Sequence, residues 1–312
     1  MNLEGEDMAV RFEQAILRSG KSLLYMIVAF MVMTTFSGAA NSGELTIGLI
    51  PEQNVFDQIK KYRPLGQYIE KKTGVKIRFT VLSNYGNIVE SFNEREIDGA
   101  FWGSFTGAMA IRQLGVQPIA RPVNTDGTSS YRGYIFVHRY SVIDGVDRMK
   151  DTVIAFVDKA TTAGYVFPVA YFREHGVKNI STYFREHYFT GSHDAAIYAV
   201  LNREADIGCA KNTIFDQLAR NDQRVKEDLV IIAESPEFPS NGLGLKNDVP
   251  LAVRENIRRV LLGMDKDPEG RDVLEKFGAA RFISTEESDY KPVFDIAARA
   301  GIEPGKYRYT NK

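Results

Sequence analysis

Two periodicities alternate along this chain of 312 residues. Short apolar runs at 44–50, 75–82, 97–102 and 118–123 are bounded by turn residues and predict strands. Between the first two, residues 55–72 carry Phe56, Ile59, Tyr62, Leu65, Tyr68 and Ile69 at spacings of three and four, the stripe of an amphipathic helix. Thr73 and Gly74 close it, and Pro64 inside it implies a kink or two shorter pieces. Strand, helix, strand at this spacing is a βαβ unit, so a parallel sheet flanked by helices is expected. Residues 88–92 and 107–114 predict further helices, and residues 131–138 (YRGYIFVH) a single strand at which the chain crosses into a second lobe.

The plan then repeats, with strands at 153–157, 188–190 and 207–210 and helices at 164–175 and 194–202. After a strand at 230–233, the Pro- and Ser-rich residues 235–242 (SPEFPSNG) predict the return crossing. Helices at 250–264, 268–277 and 289–300 are expected to pack on the first lobe. The pattern therefore predicts an α/β protein of two lobes, 41–134 with 242–312 and 135–241, joined by two crossings around a ligand cleft.

The stretch 158–168 (DKATTAGYVFP) stands where a strand hands over to a helix, and it holds hydroxyls and small residues. Free backbone N–H groups and the positive end of a helix dipole face outward at such a place, which suits an anion on Thr161, Thr162, Ala163 and Gly164. Hydroxyls before a helix also serve as ordinary N-caps. A second junction of the same kind brings in Ser104 and Thr106.

Composition narrows the class. A hydrophobic content of 44% with 25% charged residues is that of a globular chain, and a net charge of −1 lacks the basic surplus of a nucleic-acid binder. At the N-terminus, Arg11, Arg18 and Lys21 precede an apolar run over 23–36 and then Ser37, Gly38, Ala39 and Ala40, the three parts of a secretory signal peptide spanning 1–40. The apolar run falls short of the ~20 residues of a membrane span. The one cysteine, Cys209, allows no intramolecular disulfide or multi-cysteine zinc site, and it lies far from any lipidation position.

The order and spacing of GLIPEQNVFDQIKKYRPLGQYIEKKTGVKI, NYGNIVESF, DGAFWGSFTGAMA, KATTAGYVFP, GSHDAAIYAVLNREADIG and SPEFPSNG resemble the periplasmic substrate-binding proteins of phosphonate, phosphite and phosphate ABC importers, over nearly all of the chain after residue 41. The resemblance implies the type II periplasmic-binding-protein fold and an anion held by hydroxyls and helix N-terminal amides. Carried over by position, it implies that Thr161, Thr162 and Ala163 hold the anion, that Tyr85 closes over it, and that Tyr131 and His193 complete the ring. It also implies a periplasmic, monomeric protein with no cofactor or metal, a small phosphorus anion as ligand and an inner-membrane ABC permease, or a sensor kinase, as partner.

Two positions depart from the family members that bind aminoalkyl phosphonates. Where those carry carboxylates for the ligand amine, this chain has Ile214 and Asn241. A buried ammonium without a carboxylate costs several kcal/mol, so phosphate, phosphite and alkylphosphonates are the expected ligands. Ala163 stands where serine is common. Among other classes, an enzyme would need a nucleophile, base and orienter set, and none is apparent. An anion-assisted ferric-ion carrier would need adjacent tyrosines, and no Tyr-Tyr pair occurs.

Overall fold

The computed structural model describes residues 43–94 and 96–309; the expected signal peptide lies outside them. β1 (Glu44–Leu49), α1 (Val55–Thr73) and β2 (Lys76–Val81) form the expected βαβ unit, with Glu44 beside Lys76 and Leu49 beside Val81 in parallel register. α1 starts where Asn54 accepts a hydrogen bond from Phe56 N–H (3.0 Å) and ends at Gly74, whose φ of 74° is one a side chain resists. Its buried face carries Tyr62, Leu65, Tyr68 and Ile69. Of the two expected outcomes, a kink or two shorter pieces, the second does not occur, and Pro64 leaves the helix undivided. The carbonyl it leaves without a partner belongs to exposed Lys60, where water can satisfy it, and the buried neighbours hold the segment in place.

α2 (Asn87–Asn93), β3 (Gly99–Trp102), α3 (Ser104–Met109) and β4 (Gln117–Asn124) continue the first lobe. The chain then crosses through β5 (Ser130–Tyr131) into β6 (Gly133–His138). The single strand expected over 131–138 is therefore two. Arg132 and Asn212 exchange hydrogen bonds at 2.9 Å, which takes Arg132 out of the ladders on either side.

The second lobe holds β7 (Val153–Phe156), α4 (Phe167–Glu174), β8 (Glu186–Phe189), α5 (His193–Leu201), β9 (Ile207–Lys211), α6 (Asn212–Asn221) and β10 (Leu229–Glu234). Its sheet runs β10-β6-β9-β7-β8, with β7 parallel to both neighbours. The return crossing, β11 (Phe238–Pro239), pairs antiparallel with β5, so the two crossings lie side by side. β12 (Gly242–Leu245), α7 (Leu251–Leu262), α8 (Pro268–Phe277), β13 (Ala279–Ser284) and α9 (Lys291–Ala300) follow. β12 and β13 complete a first sheet ordered β13-β4-β12-β3-β1-β2.

The tail is thus not wholly helical, and its last helix reaches further than expected. Val293, Ile296, Ala297 and Ala300 of α9 share one apolar cluster with Phe105 of α3 and with Phe167, Ala170 and Phe172 of α4. Arg173 Nη1 donates to Ala300 O at 2.8 Å. Beyond α9, Gln113 Nε2 donates to the carbonyls of Pro304 (2.6 Å) and Tyr307 (3.0 Å). Tyr307 OH donates to Lys159 O at 3.0 Å, and Tyr309 OH to Asp158 Oδ2 at 2.6 Å. Among the described residues, no helix is long and apolar enough to cross a membrane.

Candidate functional site

The strand-to-helix stretch after β7 is built more tightly than an ordinary helix start. Residues Thr162–Val166 form a π turn that runs directly into α4, with Val166 N–H donating to Thr161 O at 3.0 Å. The amides at the head of such a turn have no carbonyl one turn earlier to bond. Asp158 holds the approach to it. Its carboxylate accepts from Ala160 N–H (2.7 Å) and from Tyr309 OH, and its carbonyl accepts from the Thr161 hydroxyl (2.6 Å). Burial raises the Asp158 carboxyl above the usual range, against the lowering effect of those hydrogen bonds.

Gly164 is required by close approach. A Cβ there would lie 2.4 Å from Val157 Cβ and 2.7 Å from Thr161 Oγ1. Gly164→Ala is therefore expected to lower stability by about 1–3 kcal/mol, the usual scale of overpacking. Urea unfolding checks this, and an unchanged midpoint would mean the turn has room to spare.

The head of this turn faces a small cavity, about 10 Å³ in volume. Ile50 and Glu52 follow β1 at its rim, Tyr85 and Ser104 close the first-lobe side, and Tyr131 and Asn241 come from the two crossings. Thr161, Thr162, Ala163, His193 and Lys211 supply the second-lobe side. These positions cluster at the carboxyl ends of parallel strands, where open α/β sheets bind ligands.

Of the eleven site residues named from sequence, the structure brings together Tyr85, Ser104, Tyr131, Thr161, Thr162, Ala163, His193 and Asn241, while Gly164 does not line the cavity. Thr106 lies apart, its buried hydroxyl donating to Gly103 O at 3.1 Å. Ile214 lines a separate, larger chamber of about 390 Å³, which shares only Glu52, Lys211 and Asn241 with the small cavity.

Three polar atoms set the chemistry. Tyr85 OH, Thr162 Oγ1 and Asn241 Nδ2 are buried at this cavity with no hydrogen-bond partner. Each can donate, and a buried donor without a partner costs about 1–3 kcal/mol. Burial, reinforced by nearby carboxylates, keeps the Tyr85 phenol protonated by raising its pKa well above the ordinary value. Ser104 Oγ stands 2.8 Å from Tyr131 OH and 2.7 Å from Pro239 O, so that ring is anchored at the crossing.

His193, the first residue of α5, accepts from Lys211 N–H at Nδ1 (3.2 Å), which leaves Nε2 as the N–H of the ring. Burial pushes its pKa down to about 3, so the ring is neutral at ordinary pH. Lys211 Nζ pairs with Glu52 Oε1 at 2.8 Å, so the two charges nearest the cavity cancel. The walls thus carry neutral donors around one cavity, which is the kind of lining a desolvated oxyanion needs.

Glu52 and Lys211 were not named from sequence. Their one sequence signal is position, Glu52 just after β1 and Lys211 as the last residue of β9.

Fold and site together give a two-lobed α/β protein with a small polar cavity between its crossings and strand ends. The match to known proteins is more particular: residues 47–290 fit the family described as the phosphonate periplasmic substrate-binding protein of ABC transporters, and the chain belongs to that family. It is 23% identical over 257 residues to the phosphonates-binding periplasmic protein of Escherichia coli, covering 81% of this chain and 75% of that one. It is 22% identical over 286 residues to a probable ABC transporter phosphite-binding protein of Prochlorococcus marinus, covering 88% of this chain and 96% of that one. The structure of that Prochlorococcus protein with methylphosphonate superposes with a TM-score of 0.73 at 22% identity, over 84% of this chain and 99% of that one. The crystal structure of a binding-protein component of an ABC phosphonate transporter from Pseudomonas aeruginosa gives a TM-score of 0.77 at 18% identity, over 83% and 87% of the two chains. The protein is therefore a substrate-binding component of the ABC phosphonate-transporter family rather than an enzyme.

Proposed function

We propose that the protein captures a compact phosphorus oxyanion, namely phosphite, phosphate or a short alkylphosphonate, in the small interlobe cavity and presents it to an inner-membrane permease. The observation that carries this is that Tyr85 OH, Thr162 Oγ1 and Asn241 Nδ2, three buried donors without partners, belong to residues lining one small cavity at the head of a helix. The Thr162 and Ala163 amides and His193 Nε2–H supplement them. In this reading residues 1–40 are the export signal, and the receptor acts as a monomer in the periplasm. The lobes, 41–134 with 242–312 and 135–241, close about the paired crossings, because the ligand's contacts are complete only when Tyr85 and Thr162 face each other. The names of the Escherichia coli and Prochlorococcus relatives support a phosphorus ligand.

A thermal-shift series of the purified protein against phosphate, phosphite, methylphosphonate and sulfate tests this. A ligand at 100 times its Kd adds about 2.7 kcal/mol to stability. A rise with at least one phosphorus oxyanion is expected, and no rise with any of the three would overturn the proposal.

A further inference from the structure

The small cavity and the larger chamber beside it meet at one wall, made of Glu52, Lys211 and Asn241. Any ligand substituent that projects from the cavity toward the chamber must pass these three side chains. Lys211 dominates the wall. Its Nζ lies 2.8 Å from Glu52 Oε1 and 3.3 Å from Asn241 Oδ1, and it stands 4.4 Å from the centroid of the Tyr131 ring. The ammonium is therefore met by a carboxylate, an amide oxygen and an aromatic face, the set of partners an ammonium on a ligand would require. The Lys211 and Glu52 side chains are only 10% and 16% exposed, and the pair joins the two lobes.

We propose that the Lys211 ammonium occupies the position at the cavity mouth that a ligand's own cation would need, which makes the site selective for oxyanions whose substituent is uncharged. It rests on the oxyanion reading of the small cavity. A ligand ammonium arriving at this wall finds its carboxylate already neutralised and a like charge in its place. The other cation facing Glu52 is Lys61, which sits 4.9 Å from the centroid of the Phe277 ring in the outer chamber. Lys61 thus adds to the repulsion from the chamber side. Asp126 and Asp216 also line that chamber, yet neither borders the small cavity. A neutral alkyl group meets no such opposition and can lie against the lysine stem and Ile214 beyond it.

The test uses propylphosphonate and 2-aminoethylphosphonate, which match in length and differ in a methyl or an ammonium at the far end. Calorimetric titration of the wild-type protein is expected to show propylphosphonate binding at least tenfold more tightly than the amino compound. Lys211→Ala frees Glu52 and is expected to shift that ratio at least tenfold toward the amino compound. Lys211→Gln, which keeps a polar head against Glu52 and Asn241, is expected to shift it in the same direction and serves if the alanine variant does not fold. Equal binding of the two ligands by the wild type, or an unchanged ratio in the folded variant, would overturn the gate while methylphosphonate or phosphite binding upholds the oxyanion site. A wild-type protein that binds no phosphorus oxyanion would overturn both.

Discussion

Thr162→Val is expected to weaken oxyanion binding roughly ten- to a hundredfold, and Tyr85→Phe to do the same, while neither variant loses stability. The expected loss corresponds to the roughly 1.5–3 kcal/mol of a hydrogen bond to a charged group. The two effects are expected to separate because both hydroxyls are buried with no hydrogen-bond partner in the protein. Removing an unsatisfied buried hydroxyl takes away a desolvation cost, so the unliganded variants should melt at or slightly above the wild-type temperature. Thr161→Val is the contrasting control. Its hydroxyl already donates to Asp158 O, so that change should lower stability by about 1 kcal/mol. Titration calorimetry with the oxyanion that stabilises the wild type, paired with urea unfolding of each empty variant, reads both quantities. Unchanged affinity in Thr162→Val and Tyr85→Phe would mean that the unpaired donors do not face the ligand.

The second large effect is a loss of stability on mild acidification. In the unfolded chain a histidine takes up a proton near pH 6.5, whereas His193 in the folded protein stays neutral down to about pH 3. Its contribution is therefore fully present above pH 6.5 and is lost as pH falls below that value, at about 1.4 kcal/mol per unit. Between pH 6.5 and 5 this comes to roughly 2 kcal/mol. The carboxylates act differently. Glu52, lowered in the folded state through Lys211, adds a loss only below its ordinary pKa of 4.5, and Asp158, raised by burial, acts in the opposite sense above 3.8. His138, also lowered by burial, works in the same direction as His193. Urea unfolding at pH 7, 6 and 5 should therefore show a falling midpoint, and His193→Gln should flatten it by about one proton. Parallel pH profiles for the two proteins would show that the ring titrates normally.

The first βαβ unit was legible because its helical stripe and its closing glycine agree with each other. The turn after β7 was legible for a related reason: small and hydroxyl residues have few other uses between a buried strand and a buried helix. What escaped was decided by distant parts of the chain. Glu52 and Lys211 are ordinary charges until closure brings them to 2.8 Å across 159 positions of sequence. Local pattern also could not tell Thr161, committed to Asp158 O, from Thr162, whose oxygen is unpaired. β12 is a four-residue run, GLGL, too short and too rich in glycine to announce a strand, and it exists because β3 and β4 flank it. Ile214 sits at the start of α6, and no periodicity in the sequence shows that this turn faces the outer chamber.

The two tyrosines of the C-terminal tail carry a consequence for the resting receptor. The tail is tied to Gln113 after α3, yet Tyr307 and Tyr309 bond Lys159 and Asp158 on the other side of the cleft. If the tail stays with Gln113 when the cleft opens, both bonds break, and opening then costs about 1–3 kcal/mol. A receptor held shut in this way would present closed copies without ligand to its importer, and the ratio of loaded to total receptor, not the loaded concentration alone, would then govern uptake when ligand is scarce.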